Sequence, residues 1–232
     1  GEEHFCVGAK AFDAERLRSK TAYVMDLSGP VGDCAVAAPT LITFSAEVVG
    51  KAAHAGFAPE DGVHAIQVAA AAVANLPSGR WGDVTVNVGT ISGGRATNIV
   101  PDSCTVTGEI RALCHQDALD RLNEIHSEFV EQAQAVDAKL NFNHTIHITG
   151  YRVDTDAPVA QRFRRACAAV GVAPRFTDTY GGSDCNILSA HGIQGLVVAT
   201  AMNNCHAVNE YTTVEELCKA GRLAQALMEK QD

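Results

Sequence analysis

Hydrophobic and polar positions along the chain fall into stretches with different periods, and those periods predict its elements. From Leu41 to Val49 the pattern alternates, with Ile42, Phe44, Ala46 and Val48 on one face and Thr43, Ser45 and Glu47 on the other, as a strand with one buried face requires. From about Asp61 to Leu76 the texture turns alanine-rich, with Val63, Ile66, Ala70 and Val73 at helical spacing and Pro77 and Gly79 closing the run. Two strand-like runs follow, Asp83 to Ile91 and Cys104 to Leu113, separated by Ser92-Gly93-Gly94-Arg95-Ala96-Thr97-Asn98. A second helix carries Leu119, Leu122, Ile125, Phe129, Ala133 and Val136, and a further strand alternates Leu140, Phe142, His144, Ile146 and Ile148. The order from 41 to 149 is βαββαβ, which predicts a ferredoxin-like layer of one antiparallel sheet and two helices.

On either side the pattern changes. Thr21 to Leu27 is a short apolar run ending around Asp26, which predicts a buried strand that delivers an acid at its carboxyl end, where α/β sheets place their sites. Downstream come a helix from Pro158 to Val170, a Gly-Gly turn at 181–182, an apolar run Gly195 to Ala199 and a final helix from about Thr213. Residues 1–40 are too few to build a core alone. The arrangement predicts an α/β domain made of segments 1–40 and 151–232, interrupted by an inserted domain at 41–150.

Composition narrows the class. The 232 residues are 47% hydrophobic and 19% charged, which excludes disordered, collagenous and coiled-coil chains. A net charge of −9 without a basic cluster argues against nucleic acid and anionic membrane as partners. The longest uncharged stretch, Gly62 to Gly79, is mostly alanine and too weakly hydrophobic to span a bilayer. Gly1-Glu2-Glu3-His4 has neither the basic nor the apolar region of a signal peptide, so the expected location is the cytoplasm. The eight cysteines show no CxxC and no short repeat, and read mostly as small buried residues.

Four features could carry chemistry: the adjacent acids Glu2-Glu3, the strand-terminal Asp26, the Gly181-Gly182-Ser183-Asp184 turn, and His206 followed four residues later by Glu210. Each has an ordinary reading as well. Adjacent acids are commonly solvated surface, a lone histidine is commonly structural, and Ser183 or Asp184 could cap a helix. Together they offer carboxylate and imidazole groups at loop ends of one α/β sheet, a donor set suited to zinc or a similar divalent ion.

Longer blocks carry a resemblance. Glu2-Glu3 with Gly8-Ala9-Lys10, Tyr23-Val24-Met25-Asp26, Gly50-Lys51-Ala52-Ala53-His54-Ala55-Gly56, Gly93-Gly94-Arg95-Ala96-Thr97-Asn98-Ile99-Val100-Pro101, Gly108-Glu109-Ile110-Arg111 and Gly181-Gly182-Ser183-Asp184 occur in this order. Over essentially the whole chain this resembles the M20 family of metallopeptidases, most of all its peptidase T-like branch. The resemblance implies a zinc-peptidase-like catalytic α/β domain holding two divalent metal ions, with zinc the expected metal. It also implies an inserted βαββαβ lid that makes a homodimer contact, and a short peptide as substrate. Sister amidohydrolases act on N-acyl or N-carbamoyl amino acids, and the same lid residues would serve those substrates.

By match to the family, Glu2 would be the general base on a metal-bridging water and Glu3 a ligand of the second metal. Asp26 would be a ligand of the first metal, and His206 a ligand of the second. A nearby carboxylate can take the proton of a water whose pKa two cations have lowered. His54 would reach into the partner subunit's site and stabilise the oxyanion. Asn98 and Arg111 would hold the substrate's carboxylate, and Asp184 and Asn186 would lie at the substrate pocket. The alternatives are a turn histidine for His54 and an ion pair with a neighbouring acid for Arg111, which alternates onto the polar face with Glu109, Thr107 and Thr105.

The chain also departs from the family pattern, which has a His-x-Asp motif and a bridging Asp ahead of the paired acids, where only Gly1 stands here. His115-Gln116-Asp117 reads as a helix start instead. The expectation is therefore the carboxyl-terminal portion of a longer enzyme with at most half of a metal site, binding metal weakly or not at all and inactive alone. Its alternative role is that of a non-catalytic lid and dimerisation unit. Phe5 stands where the family commonly has glycine, which bears on the geometry of the first loop.

Overall fold

The computed structural model describes residues 1–229. From the amino end come α1 (Val7–Ala11), β1 (Thr21–Ser28) and β2 (Asp33–Ala38). Next are β3 (Thr40–Val49), α2 (Ala65–Asn75), β4 (Gly79–Trp81), β5 (Val84–Gly93), β6 (Ser103–Ala112), α3 (His115–Gln134) and β7 (Lys139–Ile148). The chain ends with β8 (Tyr151–Arg152), α4 (Pro158–Ala169), β9 (Arg175–Asp178), α5 (Asp184–Ala190), β10 (Gln194–Met202) and α6 (Val214–Met228). Two compact units result. One comprises Gly1–Pro39 with the residues from Ile148 onward, and the other is Thr40–His147.

In the first unit the sheet runs β1-β10-β2-β8, and β9 also pairs with β2. β1 lies parallel to β10, while β10 and β2 are antiparallel. The core is Leu196, Val197 and Val198 of β10 and Cys34, Ala35 and Val36 of β2, packed with Phe163 of α4 and Leu223 of α6. Fully burying such a large apolar side chain contributes about 1.5–3 kcal/mol. α5 rests directly on β10: a Cβ at Gly195 would lie 2.3 Å from Cys185 Sγ, so only glycine permits this approach.

β1 differs from the buried strand expected. It is the edge of the sheet, only half-buried, and Asp26 is exposed. The buried strand is β2, whose six residues are all inaccessible.

In the second unit the sheet order is β4-β5-β6-β3-β7, with β3, β5 and β6 joined in antiparallel ladders. Apart from the short exposed β4, this is the ferredoxin-like order of strands. Ile42, Phe44, Ala46 and Val48 of β3 face a core shared with Val106 and Ile110 of β6 and with Leu122, Ile125 and Phe129 of α3. The other face of β6 carries Thr105, Thr107, Glu109 and Arg111, all half-buried.

α2 begins at Ala65, later than the pattern predicts, because Val63 pairs with Lys51 and His64 caps the helix through Nδ1, which accepts from the Gln67 amide at 3.3 Å. Its buried stripe is Ala65, Val68, Ala69 and Ala72, while Ala70 is exposed. So many alanines do not mark a face by hydrophobicity. Gly108 of β6 is fixed by packing: a Cβ there would meet Phe44 Cζ at 2.4 Å and Asn87 O at 2.5 Å.

Candidate active site

The first segment folds as a 3-10 turn, Glu2–His4, closed by Phe5 at φ 59° and followed by Cys6 at φ 57°. Phe5 thus adopts the left-handed conformation that favours glycine, which is the residue the family pattern commonly has at this position. Cys6 is 2% exposed, and its thiol points to Glu2 Oε1 at 3.9 Å. Burial, and after it the Asp184 and Glu2 carboxylates, push this thiol up to about 12.

Asp26 sits where the register of β1 on β10 shifts between Val24 and Leu27, so it falls outside the ladder. Desolvation raises its carboxyl, followed by repulsion from Asp184 and Glu3, with His206 acting in the opposite sense. Glu2 is raised by burial first and then by Asp26, Glu3 and Asp184. These couplings bring Glu2, Glu3, Asp26, Asp184 and His206 into one neighbourhood of the first unit.

His206 arrives on the loop after β10, its Nδ1 3.6 Å from Glu3 Oε1. The loop is closed by mutual backbone bonds between Asn203 and Tyr211, at 3.0 and 3.1 Å. The Asn203 side chain also donates, from Nδ2, to Ala201 O at 2.9 Å. Among the described residues six non-glycine residues have positive φ; Phe5, Cys6, Asn204 and His206 lie in the two loops that carry Glu2-Glu3 and His206, and Ala201 lies at the end of β10 that leads into the second loop. Strain of this kind costs on the order of 1–3 kcal/mol per residue and gathers where geometry serves a site.

The Gly-Gly-Ser-Asp turn resolves into separate parts. Ser183 is the cap of α5, accepting from the Cys185 amide at 3.2 Å, and Asn186 completes a capping box with it. Asp184 is therefore not the cap. Its Oδ1 is buried with no hydrogen-bond partner among the described residues. Asn186, expected at the substrate pocket, is 1% exposed and donates instead to Pro39 O at 3.1 Å and Thr149 O at 2.9 Å, a structural tie.

In kind and charge this donor set fits a divalent cation, since carboxylates that repel one another and an orphaned carboxylate oxygen both gain from a positive ion. In number it falls short: among the described residues no three His, Cys, Asp or Glu side chains stand close enough together to hold a metal.

The second unit holds the other expected residues. His54 and Asn98 lie on adjoining loops, with His54 bridged to Ile99, the Ala55 amide donating to Asn98 O at 3.0 Å and the Val100 amide to Ala53 O at 2.9 Å. Gly50 permits the approach of the Val63 backbone, whose oxygen a Cβ would meet at 2.1 Å. Arg111 is bound to Glu109, Nε to Oε1 at 2.8 Å, the ion-pair alternative for this residue. His115-Gln116-Asp117 opens α3, with His115 Nδ1 3.1 Å from Thr40 Oγ1. Cys6 escaped sequence reasoning because a lone cysteine has no pattern; only its place three residues after Glu3 hinted at it.

Residues 36–137 match the M20 peptidase dimerisation domain. The Bacillus subtilis uncharacterized protein YqjE is 32% identical over 231 residues, covering 99% of this chain and 62% of that protein. The solved structure of aminopeptidase PepT from Bacillus cereus superposes with TM-score 0.93 at 36% identity, covering 98% of this chain and 61% of that one. The chain carries an M20 peptidase dimerisation domain and resembles known peptidases over nearly its whole length. A tripeptidase from Staphylococcus aureus gives TM-score 0.94 at 28% identity over the same shares. A more distant M20 fold, that of the Bacillus subtilis YXEP protein described as a dinuclear metal binding peptidase, gives TM-score 0.66 at 16% identity, covering 88% of this chain and 52% of that one. The chain spans about three fifths of the length of YqjE, PepT and the tripeptidase.

Proposed function

We propose that this chain supplies part of the active site of an M20 exopeptidase that hydrolyses short peptides, acting as a homodimer. The observation that carries the reading is that Glu2, Glu3, Asp26, Asp184 and His206 lie within electrostatic reach of one another, with Asp184 Oδ1 buried and without a hydrogen-bond partner among the described residues. Glu3, Asp26 and His206 are the residues that would hold divalent metal, with zinc the expected ion, and remaining ligands would come from outside the described residues. When bound, the metal lowers the pKa of a water and polarises the scissile carbonyl. Glu2 would serve as the base that accepts a proton from the attacking water. Its burial and acidic neighbours favour the form that holds a proton, as a general base needs at the end of the transfer.

His54 donates from a second copy of the chain to the oxyanion, and Asn98 lies on the loop joined to it. Arg111 binds the substrate carboxylate by exchanging Glu109 for it. Asp184 contacts the substrate from the mouth of α5. The exposed small side chains Ala70, Ala71 and Ala74 on α2 support the dimer, as does the match to a dimerisation domain. Eight free thiols suit a reducing compartment such as the cytoplasm.

Peptide is favoured over N-acyl or N-carbamoyl amino acids because the solved relatives with TM-scores of 0.93 and 0.94 are an aminopeptidase and a tripeptidase. The test assays a protein carrying this chain at the full length of its relatives, beside the chain alone, on tripeptides and on N-carbamoyl amino acids. Tripeptide turnover by the longer protein only is expected. Turnover of the carbamoyl substrate alone would overturn the reading.

A further inference from the structure

The turn that carries His54 holds its ring by both edge and face. The amides of Gly56 and Phe57 donate to Nδ1 at 3.1 and 3.3 Å. The Phe57 ring stacks on the imidazole with centroids 4.3 Å apart and planes 26° apart. Because Nδ1 accepts, the hydrogen of the neutral ring resides on Nε2, the nitrogen on the far side of the ring from the clamp.

Phe57 contributes nothing to the core, since it is 86% exposed. A large apolar side chain left in water needs another reason, and the ring contact it makes is with His54. Two amide bonds to one nitrogen fix where Nδ1 sits but leave the ring free to swing about that point. A stacked ring fixes the plane, and with it the direction of the Nε2–H bond. The turn beneath is held in turn by the Phe57 and Ala58 amides returning to His54 O at 3.2 and 3.1 Å.

We infer that Phe57 is the positioning residue of His54: its ring sets the imidazole plane so that the clamped, neutral imidazole presents Nε2–H as a fixed donor. This rests on the reading of His54 as the oxyanion donor. An aromatic ring is required at 57, whereas the backbone amides of the clamp are supplied by any residue there. A donor fixed before reaction stabilises developing charge without reorganising, and misplacing it costs rate rather than substrate affinity.

The test needs no turnover. The 232-residue chain is labelled with 15N-histidine, and the His54 ring nitrogens are observed by long-range proton–nitrogen correlation under conditions where the ring is neutral. The native chain is expected to show one tautomer, Nε2–H, with Nδ1 at the shielded position of a hydrogen-bonded acceptor and the ring as ordered as the backbone. Phe57→Leu should keep the Nε2–H tautomer, because the backbone clamp remains, but give a mobile ring while the remaining amide spectrum stays unchanged, and Phe57→Tyr should restore the native ring order. A native His54 ring that is mobile, or native ring order in Phe57→Leu, would overturn the inference, and the first of these needs no variant. In a protein of its relatives' length, Phe57→Leu should lower kcat by up to about 10²-fold with KM unchanged. If the nuclear signals behave as expected but His54→Ala keeps full rate there, it is the oxyanion role that fails and the positioning that stands.

Discussion

His206 and Glu3 meet from opposite ends of the sequence, with the imidazole Nδ1 3.6 Å from the carboxylate Oε1. Their side chains are 75% and 69% exposed, and an ion pair so open to water contributes about 0–1 kcal/mol. Stability does not explain why two loops with left-handed, non-glycine backbone are arranged to bring them together. The metal proposed above would, and this is the physical ground for proposing the cluster as a site rather than as surface charge.

Gly108 in the Gly-Glu-Ile-Arg block acts through packing, not chemistry. Gly108→Ala places a methyl against the buried Phe44 ring and the Asn87 backbone, and the latter cannot retreat without disturbing the β5–β6 ladder. The expected loss is about 1–3 kcal/mol, seen as a lower melting temperature in calorimetry with the dimer and any metal binding otherwise intact. An unchanged melting temperature would contradict this packing.

Asn186 ties together the two points where the chain leaves and re-enters the first unit, Pro39 and Thr149. Asn186→Ala removes both donors and leaves the buried Pro39 carbonyl unpaired, for an expected cost of about 1–3 kcal/mol. Denaturant unfolding measures it, and Asn186→Asp should be no better, since a carboxylate cannot donate to either carbonyl.

The second unit was the most legible part of the chain, because strands with one buried face and a polar far side alternate in sequence as they do in space. β2 was not legible. Asp33-Cys-Ala-Val-Ala-Ala38 is buried on both faces and so has no period to detect. α5 was legible only as a possible cap at Ser183 or Asp184, because seven residues are too few for helical periodicity; Ser183 is the cap, in a capping box with Asn186. The start of α2 was misplaced because its cap is a histidine rather than Ser, Thr, Asp or Asn. At the site, no spacing in the sequence brings Asp184 beside Glu2 and Asp26; that depends on how α5 seats against β10 through Gly195.

Thiol chemistry separates the cysteines. Cys114 and Cys218 are exposed and Cys205 is intermediate, while Cys6, Cys34, Cys104, Cys167 and Cys185 are buried. Burial pushes Cys6 up to about 12 and Cys167 and Cys185 to about 11, so little thiolate forms there near neutral pH. A disulfide reagent should label the two exposed thiols at once, Cys205 more slowly, and the other five only on unfolding. Rapid native labelling of Cys6 would contradict its place against Glu2 and Asp184.

A dimer should form through the second unit. Light scattering is expected to give a concentration-independent mass near twice 24.4 kDa. A monomer at high concentration would remove the dimer and with it the action of His54 on a second copy.

The most direct test of the central claim measures metal content and turnover together, in a protein carrying this chain at the full length of its relatives. Glu2→Gln should keep its metal and lose about 10²- to 10⁴-fold in rate, because only the base is gone. His206→Ala should lose metal and rate alike. If Glu2→Gln stripped the metal while Glu3→Gln retained it, the roles assigned to the two acids would be reversed, and if His206→Ala kept both metal and rate, the cluster would not be the active site.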